Sequence, residues 1–400
     1  MKPKNIVIFG NTNNYPLLLA EGLKSLGHNV KLLFNRPECI HRPESKYADW
    51  KGSYPSWIYD VSDITDVDIA FETGKIDKVK KLLTYDVDLV ILNDIGPSLI
   101  DYINVPHIVL LTGSDLTYYA DFKILKTMTH GWDSRFKRSS EGRKHIRMMA
   151  QLIMRQRDGI LSAKKVSFAL RDLVPEGDEL LDEIGISDEY RLMMFLSNVN
   201  GLKLSTAPKN KVLRILCGSR IVFNRKNNPY FSTQDFKGTD LLIYGFAEYC
   251  RLGGRGALTF FEKGQDVDEA KLLINELKIN NRVHWLPEMT LVGFTEEMLK
   301  SDLICDQFGT SFPGMVSLDA YALGRPVMAN LRNEVFSSLF SDPLPGFNVT
   351  TKMEIANTLL EIDSNPGLLE KKGLESRKYA EDYLSPKKMA AMLLENVFRR

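Results

Sequence analysis

The stretch Asp302–Asn330, DLICDQFGTSFPGMVSLDAYALGRPVMAN, carries the clearest signal for the fold of this chain. Its successive parts are an apolar run (Leu303–Phe308), a loop rich in small residues (Gly309–Gly314), a stretch with helical spacing (Met315–Leu323), a helix stop (Gly324) and a second apolar run (Pro326–Leu331). A strand, a helix and a strand in this order predict a βαβ unit of a parallel sheet.

The same alternation extends on both sides of this stretch. Before it in the second half of the chain lie three further strand candidates, Leu213–Gly218, Leu258–Glu262 and Val283–Leu286, and three helix candidates, Asp240–Leu252, Asp268–Leu277 and Glu296–Ser301. The first half has its own strand candidates, Asn5–Phe9, Val30–Phe34, Asp88–Asn93, Pro106–Thr112 and Gly159–Ala163. We therefore predict an α/β protein with two Rossmann-like, doubly wound domains.

The polar stretch 203–211 separates the two rhythms. We predict an N-terminal domain over residues 1–205 and a C-terminal domain over residues 206–380, followed by a terminal helical segment, 381–400. Within the last part of the chain the helix candidates are Gly367–Tyr383 and Pro386–Phe398, because Pro386 suits a first helical turn.

Composition limits the function class. The 400 residues include 52 Lys and Arg against 51 Asp and Glu, so bulk electrostatic binding of nucleic acid is excluded. Apolar runs are far shorter than the ~20 residues of a membrane span, and the start has no signal-peptide pattern. The four cysteines lack metal-ligand spacing. These features predict a cytoplasmic enzyme without a disulfide framework or a metal site.

Two places are suited to bind a diphosphate. The loop after Leu303–Phe308 lies at the carboxyl edge of the predicted sheet, where a helix beginning at Gly314 and Met315 offers free backbone N–H groups. Asp319, one turn further, suits recognition of a ribose diol, or it is a plain surface acid. After Leu213–Gly218 come Gly218, Ser219 and Arg220, and Lys237 precedes the next helix. We expect both cations to reach one diphosphate.

These motifs, in the order GSR, KGTDLLIYGFA, RVHWLP, EEMLKSDLICDQF and GMVSLDAYALGRPV, resemble those of the retaining glycosyltransferases with the GT-B fold, the large Glu-x7-Glu family called glycosyl transferases group 1. The resemblance covers about Leu213–Asn330. It implies two domains facing a cleft, with the last helix crossing back to the first domain. It also implies that Arg220 and Lys237 hold the donor diphosphate and that Asp319 binds the ribose. The remaining donor contacts it implies are Gly314, Met315 and Val316 at phosphate and sugar, and the region of Leu286 and Glu288 at the base.

The chain departs from the family pattern in two ways. Eight positions before Asp319 stands Ser311, so the signature is Ser-x7-Asp and lacks the acid that orients the donor sugar in the family. Arg220 and Lys237 are separated by an insertion, Phe223–Phe236, which forms either a flap over the site or an ordinary surface loop.

In the first domain, candidates for acceptor binding follow predicted strands. Gly113, Ser114 and Asp115 come after Pro106–Thr112, and we expect Asp115 to orient an acceptor hydroxyl, or else to cap the next segment. Asn11 and Asn13 follow the first strand and either bind the acceptor or form a turn. His130 lies on a segment that we expect to line the cleft.

The resulting prediction is a glycosyltransferase that moves a sugar from a nucleotide-diphosphate sugar, most simply a UDP-sugar, to an acceptor hydroxyl. The resemblance implies retention, and the two cations suit catalysis without metal. The acceptor is a glycan, a lipid-linked glycan or a small molecule, as in envelope polysaccharide synthesis. The alternatives are a GT-B epimerase, a phosphorylase, and a non-catalytic nucleotide-sugar-binding subunit, the last motivated by Ser311.

One charged segment adds a further expectation. Residues 123–171 hold 13 Lys and Arg but 3 Asp and Glu. They include a predicted helix, Ser140–Arg157, ended by Gly159, whose apolar stripe is opposed by the cations Arg143, Lys144, Arg147 and Arg155. Such a helix binds an anionic membrane surface or packs as an ordinary surface helix. The first alternative predicts a peripheral position at the inner face of the membrane.

Overall fold

The alternating pattern folds into two separate parallel sheets. The structure is a computed structural model that describes residues 2–208, 210–228 and 231–398. It divides into a first unit, Met1–Met194 with Pro386–Arg400, and a second unit, Phe195–Ser385. The division thus falls before the predicted boundary at residue 205, and the last helix belongs to the first unit.

All strands pair in parallel. The strands of the first unit are β1 (Asn5–Phe9), β2 (Asn29–Phe34), β3 (Ile58–Asp60), β4 (Leu89–Leu92), β5 (His107–Leu110), β6 (Lys165–Ser167) and β7 (Arg191–Leu192). Those of the second unit are β8 (Arg214–Cys217), β9 (Ala257–Phe261), β10 (Val283–Leu286), β11 (Leu303–Cys305), β12 (Val327–Ala329) and β13 (Phe347–Asn348).

Helices connect successive strands in both units. The first unit contains α1 (Tyr15–Ser25), α2 (Asp66–Ala70), α3 (Asp77–Thr84), α4 (Ser114–Thr117), α5 (Lys123–His130), α6 (Ser134–Arg138), α7 (Ser140–Leu161) and α8 (Pro175–Ile184). The second contains α9 (Thr239–Arg251), α10 (Val267–Glu276), α11 (Leu291–Lys300), α12 (Met315–Leu323), α13 (Asn333–Phe336), α14 (Lys352–Ser364) and α15 (Gly367–Tyr379). The last helix is α16 (Pro386–Phe398).

Each sheet has one point where the strand order reverses. The order is β3-β2-β1-β4-β5-β6-β7 in the first unit and β10-β9-β8-β11-β12-β13 in the second. In the first unit the chain adds strands outward from β1 to β3 and then places β4 on the other side of β1. In the second unit β11 lies beside β8 in the same way. Loops that leave these two strand pairs diverge, which leaves a crevice at the carboxyl edge of each sheet.

The central strands are apolar on both faces because helices cover both. Every residue of β4 and β11 is buried, as are Ile6, Val7, Ile8 and Phe9 of β1. Four predicted elements have the bounds that the sequence indicates: Asn5–Phe9, Val283–Leu286, Met315–Leu323 and Pro386–Phe398. The α/β, doubly wound prediction is confirmed for each unit.

Helix α16 packs on α1 through a close backbone approach. A Cβ atom on Gly22 would lie 2.0 Å from the carbonyl oxygen of Pro386, so only glycine fits at this position of α1. On α16, Ala390, Leu393 and Leu394 are buried. The terminal segment therefore stabilises the first unit directly.

The predictions around Gly159 are wrong. We expected Gly159 to end a helix and to begin a strand, Gly159–Ala163, but α7 continues to Leu161 and the strand is β6. A Cβ on Gly159 would lie 2.1 Å from the carbonyl oxygen of Pro97. This glycine, inside α7, therefore permits close packing of the helix against Pro97. None of the helices over the described residues is long and apolar enough to cross a membrane.

Candidate functional site

In the second unit, the loops that follow β8 and β11 meet where the strand order reverses. Gly218 directly follows β8, and a Cβ there would lie 2.7 Å from a methyl group of Val316 in the first turn of α12. The sequence-predicted residues Gly218, Met315 and Val316 are thus brought to one place. This is the crevice in which open parallel sheets bind ligands.

A buried carboxylate, Asp306, joins these two loops. Asp306 follows β11 and is 3% exposed. Its oxygens accept hydrogen bonds from the backbone N–H groups of Gly314 (2.8 Å) and Ser317 (3.2 Å), from the Ser317 hydroxyl (2.7 Å) and from the Ser219 hydroxyl (2.8 Å). Asp306 thus fixes the start of α12 and the β8 loop together.

Asp306 also changes what the α12 terminus offers to a ligand. Two of the first backbone N–H groups of this helix already bind the carboxylate, and its negative charge opposes the positive end of the helix dipole. The N–H groups of Met315 and Val316 have no hydrogen-bond partner among the described residues. Two amides therefore stay available to an anion.

The Lys237 ammonium contacts the side chain of Gln307, the residue after Asp306. Its Nζ donates to the Gln307 side-chain oxygen (3.0 Å) and to the Gln234 carbonyl, which leaves one N–H bond. Burial lowers the pKa of Lys237 to about 8; Asp306 and Asp235 oppose this shift and Arg220 adds to it. The charge of Lys237 is therefore poorly compensated by the protein.

Backbone contacts hold Lys237 in this place. Its N–H donates to the Val222 carbonyl (2.8 Å), and its carbonyl accepts from the N–H of Phe308 (2.7 Å). The next residue, Gly238, has φ +67°, and a Cβ there would lie 2.5 Å from the backbone nitrogen of Gly309. Glycine permits this approach without a side-chain clash.

Arg220 lies at the same edge and is partly paired. Its Nη2 donates to Asp235 at 3.2 Å, its side chain is 42% exposed, and its other N–H groups have no partner in the described parts of the chain. A guanidinium in this state keeps donors free for a phosphate.

The insertion 223–236 that carries Asp235 is anchored. The buried Asp266 carboxylate accepts from the backbone N–H groups of Phe223 (2.7 Å) and Asn224 (2.8 Å) and from the Asn228 amide. Pro229 and Tyr230 lie outside the described residues. Of the two interpretations, a flap and a surface loop, the anchored first part favours the second.

The remaining predicted donor residues lie near this edge with modest contacts. Ser311 accepts from the Asn330 amide at 3.4 Å. Asp319 is half-buried in the second turn of α12. Leu286 ends β10, two strands or about 10 Å from β8, and Glu288 pairs with Lys263. The roles assigned to these residues stay predictions.

In the first unit, Asp115 holds its own loop. The carboxylate is 1% exposed and accepts from the N–H groups of Thr112 (2.8 Å) and Gly113 (2.7 Å), and from the Asn93 amide (3.1 Å). Burial raises the pKa of Asp115 to about 7, against the pull of these N–H groups. Its backbone partners precede it, so the carboxylate fixes the turn after β5 and does not cap the segment that follows. The acceptor role of Asp115 stays a prediction.

The other predicted acceptor residues differ in accessibility. Asn11 is buried, and its amide bonds to Asn14, His41 and Leu17. Asn13, Ser114 and His130 are exposed, and Gly113 has φ +139°. Asn11 therefore shapes the β1 loop, while Asn13 and Ser114 are open to a ligand.

Comparison with known proteins gives structural relatives alone. No protein-family profile matches the chain, and no curated protein sequence does. Among solved structures, Anabaena HepE in complex with UDP and glucose is similar at TM-score 0.60 and 14% identity, with 98% of each chain covered. Sucrose-phosphate synthase from Thermosynechococcus elongatus is similar at TM-score 0.57 and 12% identity, covering 98% of this chain and 97% of that one. S. aureus TarM, in complex with UDP among other ligands, is similar at TM-score 0.57 and 10% identity, covering 99% and 100%.

The chain has the GT-B fold. Each of the two Rossmann-like sheets of this GT-B protein has a crevice of its own, and the residues described above occupy both. Over the described residues no group of three or more His, Cys, Asp or Glu side chains is arranged to hold a metal ion.

Several residues at the crevices of this GT-B chain were not predicted from the sequence. In the second unit these are Asp306, Gln307 and Asp235. The predicted strand Leu303–Phe308 included the first two, whereas β11 ends at Cys305; two consecutive polar residues inside an apolar run are the signal for this strand end. In the first unit they are Asn35, Arg36, His41 and Asp94. Asn35 and Arg36 follow β2 and Asp94 follows β4 in the same way, whereas His41 lies in a loop with no periodic pattern.

The cap role of Asp306 predicts a stability loss. We expect Asp306→Ala to lower the free energy of unfolding of the second unit by about 1–3 kcal/mol, because the N–H groups of Gly314 and Ser317 lose their acceptor. Urea denaturation followed by Trp285 fluorescence measures this in a background in which Trp50, Trp57 and Trp132 are changed to Phe. Asp268→Ala, which removes an exposed acid in the first turn of α10, is the control and loses no more than about 1 kcal/mol. Equal losses in both variants would contradict the role.

Proposed function

We propose that this protein is a glycosyltransferase that uses a nucleotide-diphosphate sugar, with the donor bound by the second unit. The observation that carries the proposal is the pair of cations, Arg220 and Lys237, which keep free N–H donors at the carboxyl edge where β8 and β11 diverge. HepE, which shares the fold, is a structure in complex with UDP and glucose. We extend this donor class to the present chain.

The chemistry follows from charge. When the bond between the anomeric carbon and the phosphate oxygen breaks, the electron pair leaves with the diphosphate, and the sugar gains positive character. Arg220, Lys237 and the free amides of Met315 and Val316 stabilise the departing diphosphate. We propose transfer with retention and without metal, in which the two cations balance the charge of the diphosphate. An acceptor hydroxyl then forms the new bond to the anomeric carbon and gives its proton to an oxygen of the departing diphosphate.

The first prediction concerns nucleotide binding. We expect UDP to raise the melting temperature of the full chain, with or without EDTA, because a ligand of the native state stabilises it. Arg220→Ala and Lys237→Ala each remove a charged donor worth about 1.5–3 kcal/mol, so the Kd for UDP rises roughly ten- to hundredfold. Lys226→Ala, an exposed cation of the same insertion, leaves the Kd unchanged. A panel with GDP, ADP, CMP and dTDP identifies the base; no shift with any nucleotide would overturn the donor site.

The second prediction concerns pH. The ligand-free Lys237 ammonium loses its proton above about pH 8, while the UDP phosphates are already ionised. The Kd for UDP therefore rises about tenfold between pH 7 and pH 9, because only the protonated fraction binds well. Lys237→Arg keeps its charge over this range, so its Kd changes little. Calorimetric titrations at pH 7, 8 and 9 measure how the Kd for UDP changes with pH in the wild-type protein and in Lys237→Arg. Equal changes in both proteins would show that Lys237 does not carry the effect.

Ser311 supports one second candidate function. A serine hydroxyl replaces the acid that the family resemblance implies for donor-sugar orientation, and this hydroxyl accepts a weak hydrogen bond from the Asn330 amide. A non-catalytic nucleotide-sugar-binding protein would tolerate this replacement. Formation of a glycosylated product from a UDP-sugar and a saccharide acceptor separates the two candidates.

We further propose a peripheral membrane contact through a basic surface of the first unit. The basic surface consists of eight cations without an ion pair in the described structure: Lys123, Lys126, Arg135, Lys137, Arg138, Arg143, Lys144 and Arg147. Helices α5 and α6, which carry five of them, have no buried residue. The predicted Arg155 is not part of this surface, because it pairs with Glu72 and Asp101.

The membrane prediction is tested with vesicles. Each Lys or Arg near an anionic surface contributes about 1 kcal/mol, so the triple variant Lys123→Gln, Lys126→Gln, Arg135→Gln lowers partitioning to phosphatidylglycerol vesicles roughly a hundredfold. Flotation with pure phosphatidylcholine vesicles shows no binding. The control is the triple variant Lys51→Gln, Lys81→Gln, Lys164→Gln. These three lysines are exposed elsewhere on the same unit. Equal binding by both triple variants would contradict the assignment.

A further inference from the structure

The first unit has its own crevice, and an ion-pair cluster lies at its edge. The Arg36 cluster consists of Asn35, Arg36, His41, Asp66, Asp94 and Tyr119. Asn35 and Arg36 follow β2 directly, and Asp94 follows β4, so both loops leave the carboxyl edge near the reversal between β1 and β4. None of these residues belongs to the acceptor set that the sequence indicates.

Arg36 is fully compensated by its neighbours. Its Nε and Nη2 donate to the two Asp94 oxygens at 2.6 and 3.0 Å, and its Nη1 donates to Asp66 at 3.1 Å. The Tyr119 hydroxyl donates to Asp66 at 2.9 Å and accepts from Nη2 of Arg36 at 3.0 Å. One cation faces two carboxylates, so the cluster has no positive charge to attract an anion.

The backbone around the cluster turns sharply. Asn13 and Asn14 in the β1 loop have φ values of 53° and 59°, and Asp94 has 58°. Asn and Asp adopt this left-handed region more readily than other residues with a Cβ, so the sequence permits these tight turns. A Cβ on Gly10 would lie 2.4 Å from the Asn93 carbonyl oxygen, so the β1 and β4 loops are also in backbone contact.

Two polar atoms of the cluster are unused. Asn35 is 4% exposed; its Nδ2 donates to Asp94 at 2.8 Å, but its Oδ1 has no hydrogen-bond partner in the described structure. His41 Nδ1 accepts from the Asn13 N–H at 3.0 Å, so the proton of the neutral ring is on Nε2, which has no partner among the described residues. One acceptor and one donor thus remain.

We propose that the Arg36 cluster recognises the hydroxyl groups of a neutral saccharide, the acceptor sugar of the reaction. His41 donates from Nε2 to one hydroxyl oxygen, Asn35 Oδ1 accepts from another hydroxyl, and the excess of carboxylates disfavours phosphate or uronate groups. The identification of this saccharide as the acceptor rests on the proposed transferase function. The saccharide site itself does not depend on that function.

The test uses methyl glycosides as probes. Saturation-transfer NMR on the full chain compares neutral methyl hexosides, such as methyl glucoside and methyl galactoside, with the matching methyl uronides. We expect the neutral probes to bind at least tenfold more tightly than the uronides. His41→Asn keeps an acceptor for the Asn13 N–H but lacks the Nε2–H donor, so it weakens binding of the neutral probe about tenfold.

His28 supplies a matched control. Its Nδ1 accepts from the Lys4 N–H at 3.1 Å, the same kind of bond near the opposite, amino edge of the same sheet; His28 is buried, whereas His41 is half-buried. His28→Asn is expected to leave saccharide binding unchanged. Comparable melting temperatures of the two variants confirm that both are folded.

Each outcome separates the inference from the proposed function. Equal binding of hexosides and uronides, no saccharide binding, or equal effects of His41→Asn and His28→Asn would overturn the inference. UDP binding, measured on the same samples, reports on the second unit alone. If UDP did not raise the melting temperature while hexosides still bound more tightly than uronides, the proposed donor would be overturned and the saccharide site would stand.

Discussion

The Asp306 carboxylate is the interaction on which the second unit's crevice depends. It lies after β11, accepts from the first turn of α12 and accepts from Ser219 in the β8 loop. These partners come from the two strands between which the sheet order reverses. Removal of this one group would leave N–H donors at the start of α12 unpaired and would free the Ser219 hydroxyl, so the contact between the β8 loop and α12 depends on it.

The same carboxylate has an electrostatic cost for a site that binds diphosphate. Its charge offsets the favourable end of the α12 dipole, so the helix alone is a weaker anion site than the sequence indicates. Attraction then depends on Arg220 and Lys237. Burial depresses the pKa of Lys237, which shows that its ammonium lacks full compensation from the protein. A bound anion would supply that compensation.

The spacing of apolar residues was sufficient to predict the bounds of four helices and strands. β1, β10, α12 and α16 have the predicted bounds because their apolar spacing is uninterrupted. Gly159 was misinterpreted because a glycine that permits close packing and a glycine that ends a helix look alike in one chain. The contacts of Asp115 with Asn93 and of His41 with Asn13 could not be predicted, since these partners lie in other loops that the folded sheet brings close.

The two crevices share one topology and differ in charge. In each unit a glycine permits backbone contact between neighbouring loops, Gly10 against Asn93 in the first and Gly238 against Gly309 in the second. In the second unit the loops present cations with unused donors. In the first they present one arginine saturated by two carboxylates. Because both sheets reverse their strand order in the same way, the side chains that follow the strands set the difference in charge between the two crevices. The proposals of an anion for the second unit and of neutral hydroxyl groups for the first rest on this difference.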